Sequence, residues 1–131
     1  MRLELAHDPS HAQAYAWLGD LALRRDDPKA AKSLLEKAVR LGADIRIAHL
    51  DLGILYAKEG LQEKAVAELR EAERLDPAKA DAHYRLGRVY KAMGRRQEAQ
   101  PEMAVVKRLQ AEQAGDALHK VSGRPPALPV P

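Results

Sequence analysis

The 131-residue chain has no cysteine and no phenylalanine. The first absence excludes disulfides, thiolate metal sites and a cysteine nucleophile. Aromatic residues are scarce, one Trp and four Tyr, or 4% of the chain. No apolar run approaches the ~20 residues that a membrane-spanning helix requires. Serine occurs only at Ser10, Ser33 and Ser122, never in a motif that activates a nucleophile. The Leu-Gly pairs follow no strand and open no helix, so there is no phosphate-cradling loop. These absences argue against an enzyme and against any cofactor.

What is present is helical in character. Hydrophobic residues make up 46% and charged residues 31%, enough apolar surface for a packed core. Alanine (24) and leucine (18) dominate the apolar set, and such a core suits closely approaching helices better than sheets. The net charge of +3 is unevenly spread. Arg85, Arg88, Lys91, Arg95, Arg96, Lys107 and Arg108 face only Glu98 and Glu102 in the same stretch. A nucleic-acid surface needs one cationic face with aromatics for stacking. Here the arginines fall around several faces with only Tyr84 and Tyr90 nearby, so a solvated basic end is expected, with no nucleic-acid or membrane partner.

A shift of 34 residues aligns the chain with itself. Leu18, Leu52 and Leu86 superpose, each followed by glycine: Gly19, Gly53 and Gly87. Ala14, Ala48 and Ala82 align, as do Ala31, Ala65 and Ala99. So do Leu35, Leu69 and Met103, then Ala38, Ala72 and Val106, then Leu41, Leu75 and Leu109. Each copy reads as two helices. In the second copy, residues 47–58 carry apolar positions at helical spacing, Glu59-Gly60 interrupts, and residues 62–75 resume. Asp76-Pro77 closes that unit, because proline disfavours a helical predecessor. Asp27 with Pro28 reads as an N-cap followed by a first helical residue that needs no amide donor. A helix-interior glycine costs roughly 1 kcal/mol relative to alanine. Three of them in register imply that a neighbouring helix backbone passes too close for a side chain, opposite Ala31, Ala65 and Ala99.

His49–Leu52–Gly53–Tyr56 and His83–Leu86–Gly87–Tyr90, with the looser Tyr15–Leu18–Gly19–Ala22, resemble the first-helix signature of the tetratricopeptide repeat (TPR) family. Ala31–Leu35, Ala65–Leu69 and Ala99–Met103 resemble the second-helix signature. The resemblance implies an all-α fold, a right-handed solenoid of three stacked antiparallel helix pairs whose first helices line a concave face. The expected units are residues 12–45, 46–79 and 80–113, followed by a helix end and proline-rich tail over 114–131. Residues 1–11 resemble the end of a preceding repeat, since Asp8-Pro9 lies two periods before Asp76-Pro77, and the chain is expected to be the C-terminal piece of a longer array. Two departures stand out. His49 and His83 replace bulky aromatics, which thins the interface between repeats. Pro101 falls inside the second helix of the third repeat, where a proline costs ~3 kcal/mol, so that helix is expected to start late, with Gln100 as cap, or to kink.

On the first helices, the stripe beside the packing residues is expected to face outward. It comprises Trp17, Asp20, Ile47, Leu50, Asp51, Ile54, Asp81, Tyr84, Arg85 and Arg88. Its apolar members suit a groove for a peptide or partner segment, anchored by Trp17 and Tyr84. The three acids disfavour a carboxylate clamp and, with the two arginines, favour a ligand of mixed charge. The alternative is a structural or oligomerising segment that packs against a second copy or a neighbouring repeat. His49 and His83 could be paired metal ligands, but both occupy a packing column without an evident carboxylate companion, so no metal is expected.

Overall fold

The computed structural model describes residues 11–122, with side chains to residue 118. Six helices follow in order: α1 (His11–Arg24), α2 (Pro28–Leu41), α3 (Arg46–Lys58), α4 (Gln62–Leu75), α5 (Ala80–Ala92) and α6 (Arg96–Ser122). No strand occurs among the described residues. The helices pack most closely as α1–α2, α3–α4 and α5–α6, and successive pairs join through α2–α3 and α4–α5. The sequence-derived solenoid is therefore the observed fold, an all-α helical repeat. The proline-rich tail beyond Ser122 and the Asp8-Pro9 segment lie outside the described residues.

Local chemistry accounts for the helix ends. The Asp27 carboxylate accepts a hydrogen bond from the Ala30 amide at 3.3 Å, with Pro28 in the first turn of α2. Asp76 ends α4, and its side chain turns back to accept from the Ala78 amide at 3.2 Å. Between the helices of each pair, one residue takes left-handed backbone angles. These are Asp26 (φ 60°), Gly60 (φ 80°) and Gly94 (φ 79°), again 34 residues apart.

The core is the set of repeated columns. Ala31, Leu35, Ala38, Ala65, Leu69 and Ala72 are fully buried along α2 and α4 against Leu52 and Leu86. The three in-register glycines are tightly enclosed, but side chains stand nearer than the expected backbone. A Cβ on Gly19 would sit 2.6 Å from Leu35 Cγ, one on Gly53 2.5 Å from Leu69 Cγ, and one on Gly87 2.5 Å from Met103 Sδ. The nearest obstacle is thus a large side chain of the partner helix, with backbone atoms a step further away.

For Pro101, one of the two expected outcomes is overturned. The helix does not start late: α6 begins at Arg96 and runs through Pro101 without interruption. The Ala99 amide bonds the Arg95 carbonyl at 3.0 Å, which closes the first turn before the proline arrives. Pro101 has no N–H to offer the Gln97 carbonyl, so one ladder bond near the helix start is lost.

Candidate protein-interaction site

The first helices α1, α3 and α5 form one face, with α3 between α1 and α5, which do not touch among the described residues. This order decides which stripe residues are open. Trp17 on α1 and Tyr84 on α5 are exposed at opposite ends of the stack. Leu50 and Asp51 on α3, expected to face outward, are only 7% and 4% exposed because helices flank them on both sides. The continuous apolar strip from Trp17 through Leu50 to Tyr84 is therefore broken at its middle. Ile47 and Ile54 are half-buried, while Asp81, Arg85 and Arg88 are exposed.

The acids of the stripe are largely matched within the chain. Asp20 receives Arg24 Nε at 2.9 Å, and Asp81 pairs with Arg46 of α3. Asp51 meets Asp20 across the α1–α3 contact. Burial first, and the shared hydrogen bond with Asp20 second, push its carboxyl up to about 8, while Arg24 and Arg85 pull the other way. The cations are less committed. Arg88 donates to the Tyr84 hydroxyl at 3.2 Å and lies over that ring.

Between α3 and α5 lies a groove of about 320 Å³. Ile54, Ala57, Val89 and Ala92 form its apolar floor, and Lys58, Arg85 and Arg88 stand at its edge with no carboxylate among the lining residues. A second apolar depression, lined by Trp17, Leu18, Leu21 and Ile47, opens at the α1 end. Its origin is visible in the repeat columns. Leu18 and Leu21 are 48% and 43% exposed, whereas their equivalents Leu52 and Leu55 are 1% and 3% exposed beneath the preceding pair. Ala14 is likewise exposed where Ala48 and Ala82 are buried.

The histidines have the carboxylate companions that the sequence did not disclose. His49 Nδ1 lies 2.7 Å from Glu68 Oε1, and its Nε2 lies 2.7 Å from the Ala43 carbonyl. His83 repeats the arrangement with Glu102 at 2.8 Å and the Pro77 carbonyl at 2.8 Å. Each ring therefore ties its helix to the partner helix and to the loop before it, a polar latch in place of an aromatic plug. The Glu68 hydrogen bond raises His49 above the ordinary histidine value. Burial alone would lower His83, but Glu102, the Pro77 carbonyl and Glu73 together raise it. Glu73 itself is pushed up to about 7, by burial and then by the adjoining Glu102 carboxylate. The 19-residue spacing from each histidine to its glutamate was the available signal.

A helical-repeat scaffold with an open groove is the class that this architecture defines. Residues 12–43 match the family described as Tetratricopeptide repeat, and residues 53–94 match that described as TPR repeat. The chain belongs to the tetratricopeptide repeat family, whose repeats generally mediate protein–protein interaction. Among solved structures it is similar to MamA, with 26% identity, a TM-score of 0.74, and 82% of this chain and 63% of that one covered. It is similar to a MamA RS-1 double mutant, with 26% identity, a TM-score of 0.72, and coverages of 80% and 59%. It is also similar to YrrB, described as a TPR protein with an unusual peptide-binding site, with 26% identity, a TM-score of 0.70, and coverages of 85% and 57%. The chain thus spans about three-fifths of the length of these structures. No curated protein matches it.

Proposed function

We propose that the chain is a non-enzymatic scaffold that binds a peptide or partner segment along the face made by α1, α3 and α5. The observation that carries this reading is the groove with an apolar floor at Ile54, Ala57, Val89 and Ala92 and a cationic edge at Lys58, Arg85 and Arg88. Apolar side chains of the partner occupy the floor, and its carboxylates meet the arginines. Tyr84 and Ile47 extend the contact at either side. A basic ligand group fits only near Asp20, where it competes with Arg24; Asp81 is already held by Arg46. The favoured ligand is therefore apolar and mainly acidic, a narrower class than one of mixed charge. The similarity to a peptide-binding TPR protein supports the same reading.

Selection from a displayed peptide library is expected to return sequences that combine leucine-like and acidic residues. Titration of such a peptide is expected to show at least a tenfold loss of affinity for Arg85→Glu/Arg88→Glu, and weakening with salt. Equal affinity for the charge-reversed variant, or selection of lysine-rich peptides, removes the proposal.

A second reading has its own observation. The open stripe of Ala14, Leu18 and Leu21, with Trp17 beside it, occupies the columns that stacked pairs cover elsewhere in the chain. It suits a further helix pair, and under this reading Trp17 is a stacking residue rather than a ligand anchor. Unchanged peptide affinity in Trp17→Ala separates that role from the groove.

A further inference from the structure

At the junction of α4, α5 and α6, Glu73, His83 and Glu102 each offer one ligating atom, and these atoms lie within 4.8 Å of one another. His83 Nδ1 is 2.8 Å from Glu102 Oε1 and 3.0 Å from Glu73 Oε2. The imidazole is buried, and its Nε2 faces the Pro77 carbonyl at 2.8 Å. A carbonyl only accepts, so Nε2 carries a proton there, and Nδ1 is the nitrogen whose lone pair can serve a ligand. Metal-bound histidines are generally oriented in this way, by donating the other ring N–H to a carbonyl or carboxylate.

The second repeat separates this ligand set from a mere packing motif. There His49 has the same carbonyl and the same glutamate partner, Ala43 and Glu68. The position equivalent to Glu73 is Val39. One carboxylate therefore suffices to latch the histidine. Glu73 adds a second carboxylate, whose Oε2 is closed off from solvent 3.0 Å from His83 Nδ1. Two carboxylates converging on one imidazole in a desolvated place must share a proton or be met by a cation.

We propose that Glu73, His83 and Glu102 form a binding site for a divalent first-row transition cation of the zinc class. Zinc bonds of about 2.0–2.2 Å in tetrahedral geometry place donor atoms ~3.4 Å apart, so the two His83–carboxylate separations need open by only ~0.5 Å. The nitrogen among them disfavours Mg²⁺ and Ca²⁺, which take oxygen ligands. The ion displaces the proton from Nδ1, while Nε2 keeps its bond to Pro77. Three protein ligands leave a fourth position for water. Because the ligands come from three helices, the ion ties the last repeat to the one before it.

Calorimetric titration of the chelator-treated chain with Zn²⁺ is expected to show one equivalent bound and a raised melting temperature, with no response to Mg²⁺ or Ca²⁺. Glu73→Val, which copies the second repeat, is expected to weaken Zn²⁺ binding by more than about tenfold while the helical circular dichroism is retained. Val39→Glu completes the same set around His49 and is expected to raise the stoichiometry to two. Visible absorption of bound Co²⁺ reports both changes independently of stability. Absent Zn²⁺ binding, undiminished binding by Glu73→Val, an equal response to Mg²⁺, or a stoichiometry left at one by Val39→Glu would each overturn the proposal.

Discussion

Asp26 shows how closely the repeats instruct one another at the residue scale. It takes a left-handed conformation at φ 60°, where the two later repeats place Gly60 and Gly94, at which an added Cβ would meet nothing within 4 Å. The left-handed region costs a non-glycine residue roughly 1–2 kcal/mol, less for aspartate than for most. Asp26→Gly is therefore expected to raise unfolding stability by about 1 kcal/mol, read as a higher urea midpoint; an unchanged or lower midpoint rejects this. The position of Gly60 was legible as a helix break. The role of the Leu-Gly glycines was legible only in part. Their spacing announced a close approach, but Leu35, Leu69 and Met103 stand nearest because those columns point into the space that the missing side chains leave. The partners of His49 and His83 were not legible, since a hydrogen bond across two helices depends on their rotation as well as on sequence spacing.

At the scale of the element, α3 bears the largest consequence of stacking. It is flanked by α1 and α5, and eight of its thirteen residues are buried, so its surface is no longer that of an isolated amphipathic helix. A helical wheel places Leu50 and Asp51 on an outward stripe; neighbouring pairs convert that stripe into an interface. Asp51 therefore carries its carboxyl into the α1–α3 contact, against Asp20 and within the field of Arg24 and Arg85. Its folded value of about 8 lies above its ordinary value of 3.8. The raised value means that the folded state binds the proton more tightly. The associated stability is fully present below 3.8 and is lost as pH rises through about 8. Asp51→Asn keeps the shape and can donate to Asp20 without titrating. Urea midpoints are expected to fall less steeply between pH 5 and pH 9 in the variant, which should be the more stable protein at pH 9. Parallel pH profiles for the two proteins would show that the Asp20–Asp51 pair does not share a proton.

For the whole molecule, a repeat sequence specifies columns, and the position of a repeat in the stack decides what each column does. Leu18 and Leu52 are the same residue in the same register, yet one is half exposed and the other closed off. Sequence self-similarity cannot express that difference, because it assigns every copy one environment. It likewise could not foresee that the proposed groove lies between α3 and α5 while Trp17 stands at the α1 end. The difference has a measurable cost. Leu52→Ala removes a side chain packed on all sides and should destabilise the chain by about 2–5 kcal/mol. Leu18→Ala removes one with solvent on its outer side, and its cost should stay below about 1 kcal/mol. Chemical unfolding of the two variants at several protein concentrations tests this directly. Similar losses at every concentration would mean that Leu18 is covered in solution. A Leu18→Ala loss that grows with concentration would identify the cover as a second copy of the chain, because association stabilises the folded state by mass action.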